Sequence, residues 1–446
     1  MNQGCKEIVF ILHPSAFILQ KRSVYKMFDV SAYQNPYLKT GTTNMQAVLS
    51  INVNADVTTQ PVPLALAIVI DRSGSMEGQK IEAAKDAAIR VIQAADESTA
   101  FMVVTFNETA NIIVPPMAAS AANKNQAVQA IRRIYSNGGT CMSQGLNAVA
   151  NEMASAVGRA RKILFLTDGK NEGEKRPALD RAVQRCKETQ IQVSAWGIGT
   201  DWDENELSHI ADQTQGDADI IPSPNQVAAA FSAAFSQMQK TAVTEVKLNL
   251  WTPQGVTIKS FQQVFPSIIN LQLKNDPAAP RIQQVTFGAL AQGDQRDYLV
   301  ELEVPAYAPG QQFLMVRPSL IYTLPGKGEQ EEKTDRKAWV FAQWTDNPQQ
   351  AAQIDPHVAH YTNQEELSQS IREGQAALAQ GDNERATRML GKALQLSQQT
   401  GNENMTQLLN KLVTKDSSGT VRLNKNASDV EKKSIAINSS KTSRLK

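Results

Sequence analysis

The chain is expected to fold as an α/β protein: a doubly wound, mostly parallel sheet inserted in an antiparallel β-sandwich, followed by an α-helical hairpin. Three observations predict this. Short apolar runs alternate with helical spacing from residue 64 to residue 238, the pattern of a parallel sheet covered on both faces. Two-residue alternation broken by proline and glycine takes over after residue 242, as in a sandwich. Leucine and alanine return at helical spacing between residues 364 and 414.

At 446 residues the chain suggests two or three domains, and 41% hydrophobic with 20% charged residues is a globular composition. The formal charge of +1 supplies no whole-molecule field for nucleic acid or an anionic membrane, so neither partner is expected. Cys5, Cys141 and Cys186 are odd in number and lack metal or disulfide spacing, which points to a reducing, cytoplasmic setting. No apolar stretch approaches the length of a membrane-spanning helix.

The elements follow in order. Residues 10–16, Phe-Ile-Leu-His-Pro-Ser-Ala, are followed at once by Phe17, Ile18 and Leu19, an echo that reads as a translated nucleotide repeat. His13 and Pro14 interrupt the apolar run that a signal peptide needs, so residues 1–26 are expected to be a non-native or unstructured extension, with synthesis starting at Met27. Ala47, Leu49, Ile51 and Val53 alternate as in a half-buried strand, and residues 27–62 are expected to join the sandwich. Residues 63–241 hold the alternating unit. Its strands are read at 64–70, 101–106, 163–166 and 191–198, and helices carry Ile81 to Ile92, Val128 to Ile134, Leu146 to Met153, Val183 with Cys186, and Val227 to Met238. Residues 242–345 supply the remaining sandwich strands. Residues 346–414 resemble a single tetratricopeptide-type hairpin around Gly381-Asp382-Asn383. Residues 415–446, rich in Ser, Asn and Lys, are expected to be a disordered tail.

Chemistry concentrates where parallel strands end. Asp71 closes the first strand, with Ser73 and Ser75 in the loop behind it. Gly138-Gly139-Thr140 precedes the helix of Leu146, and Thr167-Asp168-Gly169 closes a further strand. Ligands gather outside the carboxyl ends of such strands. Each piece alone has an ordinary reading, a helix cap for the hydroxyls or a turn for Asp168-Gly169. Together they present hard oxygen donors without histidine, a set that selects magnesium or manganese.

In these residues, Asp71-Arg72-Ser73-Gly74-Ser75, Gly138-Gly139-Thr140 and Asp168-Gly169, the chain resembles the von Willebrand factor A domain with a metal-ion-dependent adhesion site, in its bacterial intracellular form. The resemblance implies that Ser73, Ser75 and Thr140 ligate Mg2+ or Mn2+, with Asp71 and Asp168 holding it directly or through water. It further implies an open coordination position that accepts an Asp or Glu carboxylate of a partner protein, and relatives that work beside ATPases or in multiprotein assemblies. Glu77, Asn107, Lys170, Asn171, Glu172, Trp202 and Asp203 are candidates for the partner-reading rim, with Trp202 expected as an exposed anchor.

A magnesium phosphohydrolase is the enzymatic alternative, but that chemistry wants a second aspartate where Ser73 stands, and no phosphate-binding loop motif occurs. Cys141 and His209 have no catalytic partner at suggestive spacing, and His357 with His360 reads as a surface pair. A scaffold whose metal is only structural is the other alternative. The expectation is a cytoplasmic, non-enzymatic binding protein.

Overall fold

The computed structural model describes residues 26–54, 62–415, 421–424 and 426–445. The extension expected over residues 1–26 lies outside them, Lys26 excepted.

The chain opens with β1 (Phe28–Tyr33), β2 (Tyr37–Lys39) and β3 (Asn44–Val53). The alternating unit follows: β4 (Leu64–Asp71), α1 (Gln79–Ala94), β5 (Ala100–Phe106), β6 (Ala110–Ala118), α2 (Ala121–Arg132), α3 (Met142–Met153), β7 (Ala160–Thr167), α4 (Arg176–Glu188), β8 (Ile191–Ile198), α5 (Glu204–Thr214), β9 (Ala218–Ile221) and α6 (Val227–Met238). Then come β10 (Thr241–Trp251), β11 (Thr257–Phe265), β12 (Ile269–Asn270), β13 (Lys274–Asp276), β14 (Ala279–Ala291), β15 (Gln295–Glu303), β16 (Gln312–Leu324), β17 (Gly328–Lys333) and β18 (Val340–Thr345). Helices α7 (Pro348–Ala351), α8 (Pro356–Ala379), α9 (Asn383–Gln399) and α10 (Glu403–Leu412), the short antiparallel pair β19 (Val413–Lys415) and β20 (Val421–Leu423), and helix α11 (Asp429–Ile437) complete the described residues.

Among the described residues the first sheet runs β6-β5-β4-β7-β8-β9, parallel except for the edge strand β6. Strand β4 is buried along its whole length because both its faces are covered. Leu66, Ile68 and Ile70 pack with Ile81, Val91 and Phe231 of α1 and α6. Ala67 and Val69 pack with Leu146, Val149 and Leu179 of α3 and α4. A continuous apolar run is the sequence form of such a strand. The chain leaves β4 toward β5 on one side and returns to β7 on the other, so the order reverses at the carboxyl end of β4. That is the position where doubly wound sheets open a crevice.

Two antiparallel sheets make the sandwich, β1-β3-β15-β11-β12 and β13-β14-β10-β16-β18-β2, with β17 added to β16; only the β18–β2 pair is parallel. Because β3 pairs with β15, the segments before and after the α/β unit share one sheet, and the α/β unit is an insertion. Tyr298 stacks between Phe261 and Phe287, with ring centroids 5.3 and 4.8 Å away, in the middle of the core. Amides dock the insertion on the sandwich: Gln192 Nε2 donates to the Ala289 carbonyl at 3.0 Å and Gln215 Nε2 to the Thr286 carbonyl at 2.6 Å.

Two expectations for the C-terminal region are corrected. The helical part is three helices packed in one core rather than a hairpin, since Met405, Leu409 and Leu412 carry an apolar stripe along α10, which Asn402 caps at Met405 N–H. The tail is folded. Ser428 and Glu431 form a capping box at the start of α11, Ile435 enters the helical core, and Ile437 enters the core beneath the first sheet. Arg444 then grips Asp297 with both ends of its guanidinium, Nε to Oδ2 and Nη2 to Oδ1, each at 3.1 Å. Ser50 Oγ donates to the same carboxylate at 2.6 Å, as does the Tyr361 hydroxyl. Few apolar residues suffice here because each is placed at a junction and a buried ion pair closes the segment. His360 is corrected with it: the ring is buried and its Nε2 lies 2.8 Å from the Ser443 carbonyl. No helix among the described residues is long and apolar enough to cross a membrane.

Removing Arg444 leaves the Asp297 carboxylate buried without its cation. Arg444→Ala is expected to cost about 3 kcal/mol, read as a lower thermal midpoint of the full-length protein. An unchanged midpoint would mean that the C-terminal segment is not clamped to the sandwich.

Candidate functional site

The Asp71 side chain is fully buried at the end of β4. Its Oδ1 accepts from Ser73 N–H at 2.8 Å and its Oδ2 from the Thr167 hydroxyl at 2.6 Å. Ser73 Oγ and Ser75 Oγ are 3.1 Å apart, and Ser75 Oγ donates to Asp168 Oδ1 at 2.7 Å. Thr140 closes the ring from the second loop: a Cβ built on Gly169 would lie 3.1 Å from Thr140 Oγ1 and 3.5 Å from Ser75 Oγ. Gly169 therefore leaves open the space toward which hydroxyls of two loops converge. All five oxygen residues expected from the sequence meet in one cluster.

The hydroxyls are not spent on helix ends. Helix α1 is preceded by Gly78 and makes no side-chain cap, and Ser73 makes no cap bond to the 3-10 turn that follows it. Helix α3 begins after Cys141, and its first N–H groups are taken by Asn171 Oδ1 at Met142 (2.8 Å) and Glu174 Oε1 at Ser143 (2.9 Å). Thr140 Oγ1 makes no hydrogen bond among the described residues, so the capping reading of this residue fails.

Backbone hydrogen bonds hold the loops in register. Gly74 N–H donates to the Gly138 carbonyl at 2.8 Å, and Gly173 N–H to the Thr140 carbonyl at 3.0 Å. Gly138 has a positive φ of 79°, and a Cβ there would lie 2.3 Å from Glu108 Oε2. Glu108 accepts from Gly139 N–H at 2.6 Å, which holds its carboxyl below the usual range.

The cluster's charge is acidic. Burial pushes the Asp71 carboxyl up to about 6, against the hydrogen bonds from Thr167 and Ser73 that lower it, and the Asp168 charge adds to the rise. Lys80 sets its ammonium on Asp168 Oδ2. Sequence reasoning missed this lysine. Its signal was its place: it stands in the first turn of α1, where a cation is disfavoured by the helix dipole unless an anion faces it. Among the described residues no three His, Cys, Asp or Glu side chains come together, so any metal here must be held largely by hydroxyl oxygens. The residues fit a small, hard divalent cation.

Comparison with known proteins agrees with the fold. The model of the von Willebrand factor type A domain matches residues 65–239. Residues 65–239 are a von Willebrand factor type A domain. The whole architecture recurs in a solved structure, the von Willebrand factor type A protein from Catenulispora acidiphila, with 29% identity, a TM-score of 0.87, and coverage of 96% of this chain and 99% of that one. An uncharacterized Synechocystis protein is 28% identical over 292 residues, 65% of this chain and 68% of its own length. Inter-alpha-trypsin inhibitor heavy chain H1 of Mesocricetus auratus is 28% identical over 41% of this chain, which spans only 21% of that protein. Such domains commonly serve protein–protein interaction and adhesion.

The rim differs from expectation. Glu77, Lys170 and Glu172 are exposed around the cluster. Trp202 is not an exposed anchor: it is fully buried, its Nε1 donates to the Gly199 carbonyl at 2.9 Å, and a Cβ on Gly197 would come within 2.2 Å of its ring. Gly197 makes room for the indole, and Lys433 covers it at 5.1 Å from the ring centroid. Asn107 and Asn171 are buried too. Asn107 Nδ2 holds the Asn137 carbonyl at 3.1 Å, and Asn171 caps α3, so both shape loops rather than face a partner. Asp203 spends its carboxylate capping α5 at Asn205 and Glu206 N–H. Cys141 and Cys186 are free and buried, and burial raises both thiols, Cys186 to about 12, which removes them as nucleophiles at neutral pH.

The raised Asp71 carboxyl makes a sign-definite prediction for the metal-free domain. The folded state holds this proton to higher pH than the unfolded chain, so stability contributed by the protonated group is present below about 4 and lost as pH rises through about 6. In EDTA, Asp71→Asn is expected to gain on the order of 3 kcal/mol relative to wild type between pH 4 and pH 7, measured as the difference in thermal midpoints. A difference that stays flat across this range would contradict the burial argument.

Proposed function

We propose that the protein is a non-enzymatic binding protein of the cytoplasm, whose type A domain captures an acidic side chain of a protein partner through a divalent cation, Mg2+ or Mn2+. The observation that carries this reading is the convergence of Ser73, Ser75 and Thr140 hydroxyls with Asp71 and Asp168 on one open sheet edge, with Thr140 Oγ1 making no hydrogen bond among the described residues. Ser73, Ser75 and Thr140 would contact the ion, and Asp71 and Asp168 would hold it directly or through water. A cation so held, facing mostly neutral hydroxyls, supplies an electrophilic coordination position for a carboxylate oxygen. The chain's own residues do the rest. Thr167 and Ser73 N–H fix the Asp71 carboxylate, Gly169 keeps the cavity clear, and Ser75, exposed at the mouth, marks the side from which a partner arrives. Lys80 partly neutralises Asp168 and so tempers the site's affinity for a divalent ion. Membership of residues 65–239 in the type A family supports the binding role. The free thiols of Cys141 and Cys186 support a reducing compartment.

Titration calorimetry tests this reading. The wild type is expected to take up one Mg2+, Asp168→Asn to lose measurable uptake, and Lys80→Met to bind about tenfold more tightly, worth roughly 1.4 kcal/mol. Partner capture from native lysate should then disappear in EDTA while the fold is retained. Capture that ignores EDTA, or a wild type that takes up no magnesium, overturns the reading.

A further inference from the structure

Beside the metal cluster lies a pit of about 240 Å³ between β5, β6 and the segment after α2. Ile113 and Ile134 are among its walls, Arg72 and Arg133 line it as well, and Tyr135 stands at its border with 68% of its surface exposed. Thr105 also lines it: the side chain is fully buried, and its hydroxyl has no hydrogen-bond partner among the described residues. Arg72 belongs to the loop that carries Ser73 and Ser75. Its guanidinium is held by Asn137 and lies 5.9 Å from the Tyr135 ring centroid. The Arg133 guanidinium makes no ion pair or hydrogen bond among the described residues. The nearby acid that feels Arg72, Glu108, is engaged by Gly139 N–H.

The geometry points to this pit as a second acid-binding subsite, in which Arg72 and Arg133 receive another carboxylate of the same partner segment that reaches the metal. The inference rests on the metal reading above and deepens it: the partner is an acidic peptide segment with paired Glu or Asp residues, not one lone acid. Charge complementarity selects that occupant, because two arginines and no acidic residue line a space of side-chain size. Arginine is suited to it through its planar pair of donors. Tyr135 supplies an exposed flat surface for the peptide's backbone to lie across.

The test uses the full-length protein and two rhodamine-labelled Gly/Ser peptides, one with a single glutamate and one with two, read by fluorescence anisotropy in magnesium. The paired peptide is expected to bind at least tenfold more tightly. Arg133→Glu should erase that advantage while leaving the single-glutamate peptide and Mg2+ uptake unchanged. Equal binding of the two peptides, or an advantage that survives Arg133→Glu, overturns the subsite and leaves the metal reading standing. Absence of Mg2+ uptake in calorimetry is a different failure, since it removes the metal reading and the shared-segment inference together.

Discussion

The site depends on one electrostatic constraint, a carboxylate buried at the point where the strand order of a parallel sheet reverses. Asp71 ends a strand with no solvent on either face, so its charge must be met by donors from other loops. Ser73 N–H and the Thr167 hydroxyl meet it in the free protein, and in doing so fix the first loop against the end of β7. Asp168 follows Thr167 directly, so the same bond brings the second carboxylate beside Ser75. The cluster's geometry is thus a consequence of satisfying Asp71.

The rest of the molecule keeps that edge open and rigid. The α/β unit grows out of the sandwich between β3 and β10, and its docking amides bind the sandwich through β8 and the turn after α5, away from the carboxyl ends of β4 and β7. The C-terminal segment ties the units from behind. Lys433 pairs with Glu204, Lys441 with Asp219, and Arg444 with Asp297, so helix α11 and its extension bridge the type A domain, the helical core and the sandwich. Lys441–Asp219 is exposed and contributes little, and Lys433–Glu204 is half-buried. The Arg444–Asp297 pair matters because Asp297 is buried and breaking the pair strands its charge.

Much of this was legible in the residues. The period change at residue 64 marked the insertion, and β8 and α6 fall at the expected limits, Ile191–Ile198 and Val227–Met238. Asp71, Ser73, Ser75, Thr140 and Asp168 were readable because sheet topology sends the ends of parallel strands to one edge, so sequence-distant loops meet without further information. Three things were hidden for physical reasons. Lys80 looks like a surface lysine until the Asp168 carboxylate is placed opposite it. Trp202 sits among aspartates and reads as exposed, because nothing in one dimension shows that Gly197 vacates space for an indole across the chain. The tail's low apolar content suggested disorder, whereas Ile435, Ile437 and Arg444 act at three separate junctions and need no core of their own. The edge strand β6 was hidden as well, with its Pro115-Pro116 pair tolerated because it lies at a register shift and no described strand pairs on its outer side.

The central claim is that five oxygen-bearing side chains on three loops hold one divalent cation. Anomalous scattering from crystals grown with manganese tests it directly. The account expects a single strong peak within bonding distance of the hydroxyl oxygens of Ser73, Ser75 and Thr140, with the Lys80 ammonium withdrawn from Asp168. A structure at saturating manganese with no peak between those loops, and Lys80 still seated on Asp168, would contradict it.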